Sequence, residues 1–156
     1  MDKIHSLTGM IDLVSQKTDK SETANKIFFT EKILRRIFKN YSLSEIRSPA
    51  LEDESLFKRS VGDSSDIVNK ELYSFLDKNG KRIVLRPEGT AGVIRSIIEK
   101  KIDGDTHKLW YLGPMWRYER PQKGRFRQFY QAGVEILGYE EGLAELEMIS
   151  LICSLN

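Results

Sequence analysis

Between residues 117 and 135 the chain reads RYERPQKGRFRQFYQAGVE, which gathers Arg117, Arg120, Lys123, Arg125 and Arg127 before a strand-like run that carries Glu135. Alternation along two strand-like runs sorts this region into two faces. Arg127, Phe129, Gln131, Gly133 and Glu135 share one side of the later run, with Tyr130, Ala132, Val134 and Ile136 opposite as a core face. On the earlier run Gly113, Met115, Arg117 and Glu119 oppose Trp110, Leu112, Trp116 and Tyr118. Pairing the two builds one apolar face and one bearing Arg, Glu, Phe and Gln, a mixture suited to a polyphosphate and a small zwitterion. Gly113 and Gly133 are expected to leave that face open to a ligand. An antiparallel sheet with its polar side in water fits the same alternation. Phe129, which water does not favour, weighs towards a site.

The rest of the composition narrows the chemistry. The chain has 156 residues, 40% of them hydrophobic and 31% charged, enough for one soluble domain with a core. A net charge of +2 does not mark a general nucleic-acid binder, so the basic residues act locally. Cys153 is the single cysteine, which rules out an internal disulfide framework and fits a cytoplasmic, reducing setting. His5 and His107 are far apart, so neither a zinc site nor a Ser-His-Asp arrangement is expected. No apolar run approaches the roughly 20 residues of a membrane span.

The elements that must hold the basic region follow from periodicity. Ser21 or Thr23 can cap a helix to about Lys39, with Ile27, Phe28, Leu34, Ile37, Phe38 and Tyr41 along one face. Residues 45–62 read as extended around Pro49. A hairpin follows, LYSFLD and RIVLR about the turn Lys78-Asn79-Gly80. The spacing then predicts a helix over 91–102 with Val93, Ile94, Ile97 and Ile98 inward. Strands over 108–119 and 126–138 are expected to pair antiparallel around the basic loop, with Trp110 and Trp116 in the core. The last helix, from Leu143, grows more apolar towards Leu151, Ile152 and Leu155. A complete domain rarely ends so, and a truncated or split polypeptide is expected.

Three stretches carry a resemblance: SEIRSPALEDESLFKRSVG at 44–62, LRPEGTAGVIRS at 85–96 and LGPMWRYERPQKGRFRQFYQAGVEILG at 112–138. Together they resemble the N-terminal part of the catalytic domain of the histidyl-tRNA synthetases, a class II aminoacyl-tRNA synthetase family. The resemblance implies an α+β fold, an antiparallel β-sheet flanked by helices, incomplete in residues 1–156. The third signature motif and the anticodon-binding domain have no counterpart here. It implies a catalytic Arg117 on the α-phosphate of ATP, Glu119 beside the adenine, Arg125 on the γ-phosphate and Phe129 stacked on the base. Glu88, Thr90 and Gln131 would hold the amino end of histidine, Glu135 its imidazole, and Gln122 would sit near the tRNA acceptor end. ATP, Mg²⁺, histidine, tRNA(His) and a homodimer come with the resemblance; no metal ligand is assigned. TGMID at 8–12 resembles the family's opening but departs from it at Thr8 and Ile11.

The chemistry is consistent with that assignment. A guanidinium meets a phosphate with a charge-assisted fork that lysine cannot copy. The histidine carboxylate is already ionised, so its attack on phosphorus needs positioning and charge stabilisation rather than a general base. Two other readings stay open. One is a histidine sensor like the regulatory subunit of ATP phosphoribosyltransferase, which has no need of an intact ATP site. The other is a dimerising or RNA-contacting remnant. Arg120 and Lys123 are expected to be solvated loop charges, and Arg127 either faces a phosphate or pairs with Glu119.

Overall fold

The computed structural model describes residues 3–15, 22–62, 65–120, 122 and 124–155. Its elements in order are α1 (Glu22–Asn40), β1 (Ser44–Glu45), β2 (Leu51–Asp53), α2 (Glu54–Val61), a π-helical turn (Ile67–Glu71), β3 (Tyr73–Leu76), β4 (Arg82–Leu85), α3 (Thr90–Glu99), β5 (His107–Trp116), β6 (Gln128–Leu137) and α4 (Leu143–Cys153). They form two three-stranded sheets, ordered β1-β5-β6 and β2-β4-β3. The expected α+β class holds, but not a purely antiparallel sheet, because β1 runs parallel to β5 through Ser44–Leu109 and Glu45–Trp110.

The chain divides into two compact units, one of Met1–Ile11, Arg47–Ile102 and Tyr111–Gly133, the other of Asp12–Ile46, Asp103–Trp110 and Val134–Asn156. In the first, the hairpin forms as the Asn-Gly turn predicts. The Asp77 carboxylate accepts the Asn79 and Lys81 amides, and Gly80 takes φ 79°. β2 joins the other edge of β4 through Leu51–Leu85 and Asp53–Ile83. Phe57, Val84 and Ala91 are buried together, with Leu56 and Leu72 against them.

Part of the segment expected to be extended, Glu54–Val61, is instead the helix α2. Asp53 caps it, taking the Ser55 amide at 2.9 Å and the Ser55 hydroxyl at 2.6 Å. These bonds, with Lys81 at 3.0 Å, hold the Asp53 carboxyl down at about 2 from an ordinary 3.8. Pro49 lies upstream of the helix and does not oppose it.

In the second unit, α1 buries Ala24, Ile37 and Phe38 but leaves Phe28 outside, against expectation. Phe38 packs on Trp110 with ring centroids 5.0 Å apart, and the Arg35 guanidinium lies 5.0 Å from the Trp110 ring. Ser21 lies outside the described residues, and Thr23 falls inside the helix instead of capping it. In α4, Leu151 is buried while Ile152 is exposed, as is Leu155 beyond the helix. The Tyr41 hydroxyl meets those of Ser150 and Ser154 at 2.9 and 2.7 Å.

Candidate functional site

The strand faces differ from expectation in a way that shapes the site. On β6, Tyr130 and Ala132, assigned to the core, are exposed. On β5, Gly113 and Met115, assigned to the open face, are buried, as is Tyr111 beside them, and Trp116 is only half-buried. Alternation separates two faces, but what packs on each is settled by other elements. Ile98, expected inward on α3, is 60% exposed for the same reason.

The two glycines are therefore close approaches to protein rather than open floor. A Cβ on Gly133 would stand 2.2 Å from Tyr111 Cζ, and one on Gly89 would stand 2.2 Å from Tyr111 Cε2. The Tyr111 ring thus lies between the loop after β4 and strand β6. At Gly113 a Cβ would stand 2.8 Å from Arg86 Nη2. Sequence reasoning missed Tyr111 as a site former. Its only signal is an aromatic opposite two glycines, and that needs the register of three segments.

Behind the loop lies a partly buried polar network. Arg86 donates from Nη1 to the Ser48 carbonyl at 2.7 Å and hydroxyl at 3.0 Å, and from Nε to the Pro114 carbonyl at 3.2 Å. Burial lowers the pKa of its guanidinium. Glu52, 8% exposed, takes Arg95 Nη2 at 2.7 Å, and Arg95 also reaches Glu99 at 2.6 Å. The hydrogen bond from Glu52's partner side is reflected in Arg95, whose pKa is raised chiefly by that bond.

Glu88 sits at the start of α3 and caps it, accepting the Thr90 amide at 2.6 Å and the Ala91 amide at 3.0 Å. Glu88 and Thr90 also line a groove of about 990 Å³ with Leu56, Ile67, Ile94 and Ile98. The preceding carbonyl, of Pro87, accepts Arg117 Nε at 2.9 Å, so this loop also orients Arg117.

Arg117, Glu119, Arg125 and Phe129 come together in a cleft of about 200 Å³, completed by Gly124 and Phe126. The Arg117 guanidinium lies 5.1 Å from the Phe129 ring centroid. Glu119 Oε2 is buried and lies 3.4 Å from Arg125 Nη1, close enough for an ion pair, yet it accepts no hydrogen bond among the described residues. Gln131 Oε1 is likewise buried without one. Arg125 is 64% exposed, so this ion pair adds only about 0–1 kcal/mol.

Gln122 lies exposed at the loop tip, its carbonyl accepting the Arg125 amide at 2.9 Å across Gly124, whose φ is 84°. Arg120 is exposed, and Lys123 lies outside the described residues. Arg127 neither lines the cleft nor pairs with the Glu119 carboxylate. Its Nε donates to the Glu119 carbonyl at 3.2 Å, and its guanidinium lies 4.0 Å from the Tyr118 ring. Glu135 belongs to the second unit, half-buried in a groove of about 460 Å³ with Ala144, Glu145 and Met148. Among the described residues, no three His, Cys, Asp or Glu side chains come together as a metal site. No helix among them is long and apolar enough to cross a membrane.

Comparison with known proteins places this arrangement. The family profile described as histidyl-tRNA synthetase matches residues 19–156. The histidine–tRNA ligase of Francisella philomiragia is 47% identical over 153 residues, 97% of this chain and 35% of that protein. The histidine–tRNA ligase of Nitratiruptor is 60% identical over 114 residues, 72% of this chain and 28% of that protein. The chain thus spans about a third of the length of the curated relatives it matches. The apo histidyl-tRNA synthetase of S. aureus aligns with a TM-score of 0.77 at 33% identity, over 98% of this chain and 34% of that one. A Bacillus halodurans protein titled ATP phosphoribosyltransferase regulatory subunit/histidyl-tRNA synthetase shares the fold, with a TM-score of 0.76 at 24% identity, over 99% of this chain and 38% of that one. With its profile match over residues 19–156 and these relatives, the chain belongs to the histidyl-tRNA synthetase family.

Proposed function

We propose that this chain is the part of a histidine–tRNA ligase that holds ATP and reads histidine. The observation that carries the reading is the cleft in which Arg117, Glu119, Arg125 and Phe129 meet. Two guanidiniums, an aromatic ring and a carboxylate whose buried oxygen accepts no hydrogen bond among the described residues are groups that suit a nucleotide triphosphate. Arg117 takes the α-phosphate and Arg125 the γ-phosphate, Phe129 stacks on the adenine and Glu119 lies beside it. Glu88, Thr90 and Gln131 hold the amino group of histidine, and Glu135 accepts an imidazole N–H. Each Glu88 oxygen accepts one backbone amide and keeps a further lone pair for an ammonium.

The reaction is attack by a histidine carboxylate oxygen on the α-phosphorus. The bond to the β-phosphate oxygen breaks, pyrophosphate leaves, and histidyl-adenylate remains for transfer to tRNA(His). Positioning and charge stabilisation are what the residues supply. Mg²⁺ would enter with ATP, held largely by its phosphates. Gln122, exposed at the loop tip, would sit near the tRNA acceptor end. A cytoplasmic homodimer completes the proposal.

Calorimetric titration of the chain with ATP and, separately, with histidine tests it. Both are expected to bind, and Arg125→Ala, which removes an exposed side chain, should weaken ATP about tenfold or more with histidine unaffected. Histidine binding without ATP binding would turn the reading towards a sensor. Binding of neither would overturn it.

A further inference from the structure

The N-terminal stretch around Gly9 plays no part in the function proposed above, yet it is fastened to the basic loop. Leu7 and Met10 close a turn, the Met10 amide reaching the Leu7 carbonyl at 3.0 Å. Within it Gly9 has φ 78°, and its carbonyl accepts two amides, Arg127 at 2.8 Å and Gln128 at 3.2 Å. A Cβ on Gly9 would stand 2.9 Å from Arg127 Cγ and 3.1 Å from Arg127 N. Glycine is thus required twice, by backbone conformation and by space.

Arg127 passes the contact on. Its carbonyl accepts the Arg117 amide at 3.0 Å, which closes the base of the 117–127 loop. Its Nε holds the Glu119 carbonyl at 3.2 Å, and its guanidinium covers Tyr118 at 4.0 Å. The Tyr118 amide is itself fixed to the Glu71 carbonyl at 2.7 Å. From Gly9, through one residue, bonded contacts reach the backbone of Arg117 and Glu119, which both line the cleft. Phe129, the third lining residue near this base, follows Gln128 directly in sequence.

We infer that the turn Leu7–Met10 is a strap that sets the basic loop in place, and that Arg127 is the positioning residue through which it acts. Its consequence for nucleotide affinity rests on the proposed function; its mechanical part does not. The test compares the full chain with Gly9→Val by amide hydrogen exchange and by ATP and histidine titration. Exchange at the Arg117, Arg127 and Gln128 amides should rise about tenfold, as loss of a backbone hydrogen bond would produce, with β3 and β4 unchanged. ATP affinity should fall while histidine affinity stays. Unchanged exchange in the loop, or a uniform rise through the whole first unit, would overturn the strap. Should Gly9→Val fail to fold, Arg127→Gln keeps both amides. It should still raise exchange at Arg117 and weaken ATP alone, and an unaltered loop would again overturn the inference. If the wild-type chain does not bind ATP, the nucleotide reading of the cleft fails, and exchange alone decides whether the strap exists.

Discussion

The loop that carries Glu88 and the loop that carries Arg125 both adjoin β5, but they are held by different means. Around Glu88, side chains fix the backbone from several directions. Arg86 binds Ser48 and Pro114, Tyr111 lies against Gly89 and Gly133, and Glu88 caps its own helix. Pro87, Gly89 and Ala91 are buried there. The 117–127 loop is exposed over much of its length and is fastened at its base, through Arg117, Arg127 and Gly9. Under the proposed function the contrast suits two tasks. A small rigid ligand is selected by groups that cannot move, whereas a long flexible triphosphate tolerates a loop that adjusts around it.

The comparison can be broken most severely on the rigid side. Arg95→Ala takes the guanidinium hydrogen bond from the Glu52 carboxylate, which is 8% exposed and keeps only the Arg86 charge nearby, and should cost about 3 kcal/mol in chemical denaturation. A loss under about 1 kcal/mol would mean that the network is not what stiffens the loop. Gly133→Ala forces a methyl against a ring wedged on its other side by Gly89, and should cost about 1–3 kcal/mol. An unperturbed melting curve would show that Tyr111 can swing away.

The smallest effect concerns the start of α2. Asp53→Ala should cost about 1 kcal/mol at neutral pH. The carboxyl is depressed in the fold, so its contribution is complete above the ordinary 3.8 and is lost as pH falls through about 2. The wild-type advantage over the variant should therefore shrink between those values in acid unfolding. An advantage constant across that range would assign the effect to helix propensity instead.

What could be read in advance was local. The Asn-Gly hairpin, the helix after Thr90 and the basic loop are each written in a few adjacent residues, because turn chemistry and helical periodicity act over short spans. The meeting of Arg117 with Phe129 also follows from strand parity. The miss at α2 arose because an eight-residue helix leaves little periodic signal, and its cap, Asp53, is also a common strand-end residue.

Residue types and spacing determined which side chains could handle a phosphate and which family the pattern belongs to, since charge and motif are properties of sequence. Only the tertiary structure decided which faces of β5 and β6 are covered, that Gly133 makes room for Tyr111, and that Arg127 braces the loop from outside the cleft. Alternation gives two faces without saying what packs on either, and a glycine's neighbour across a sheet is fixed only when distant segments come into register.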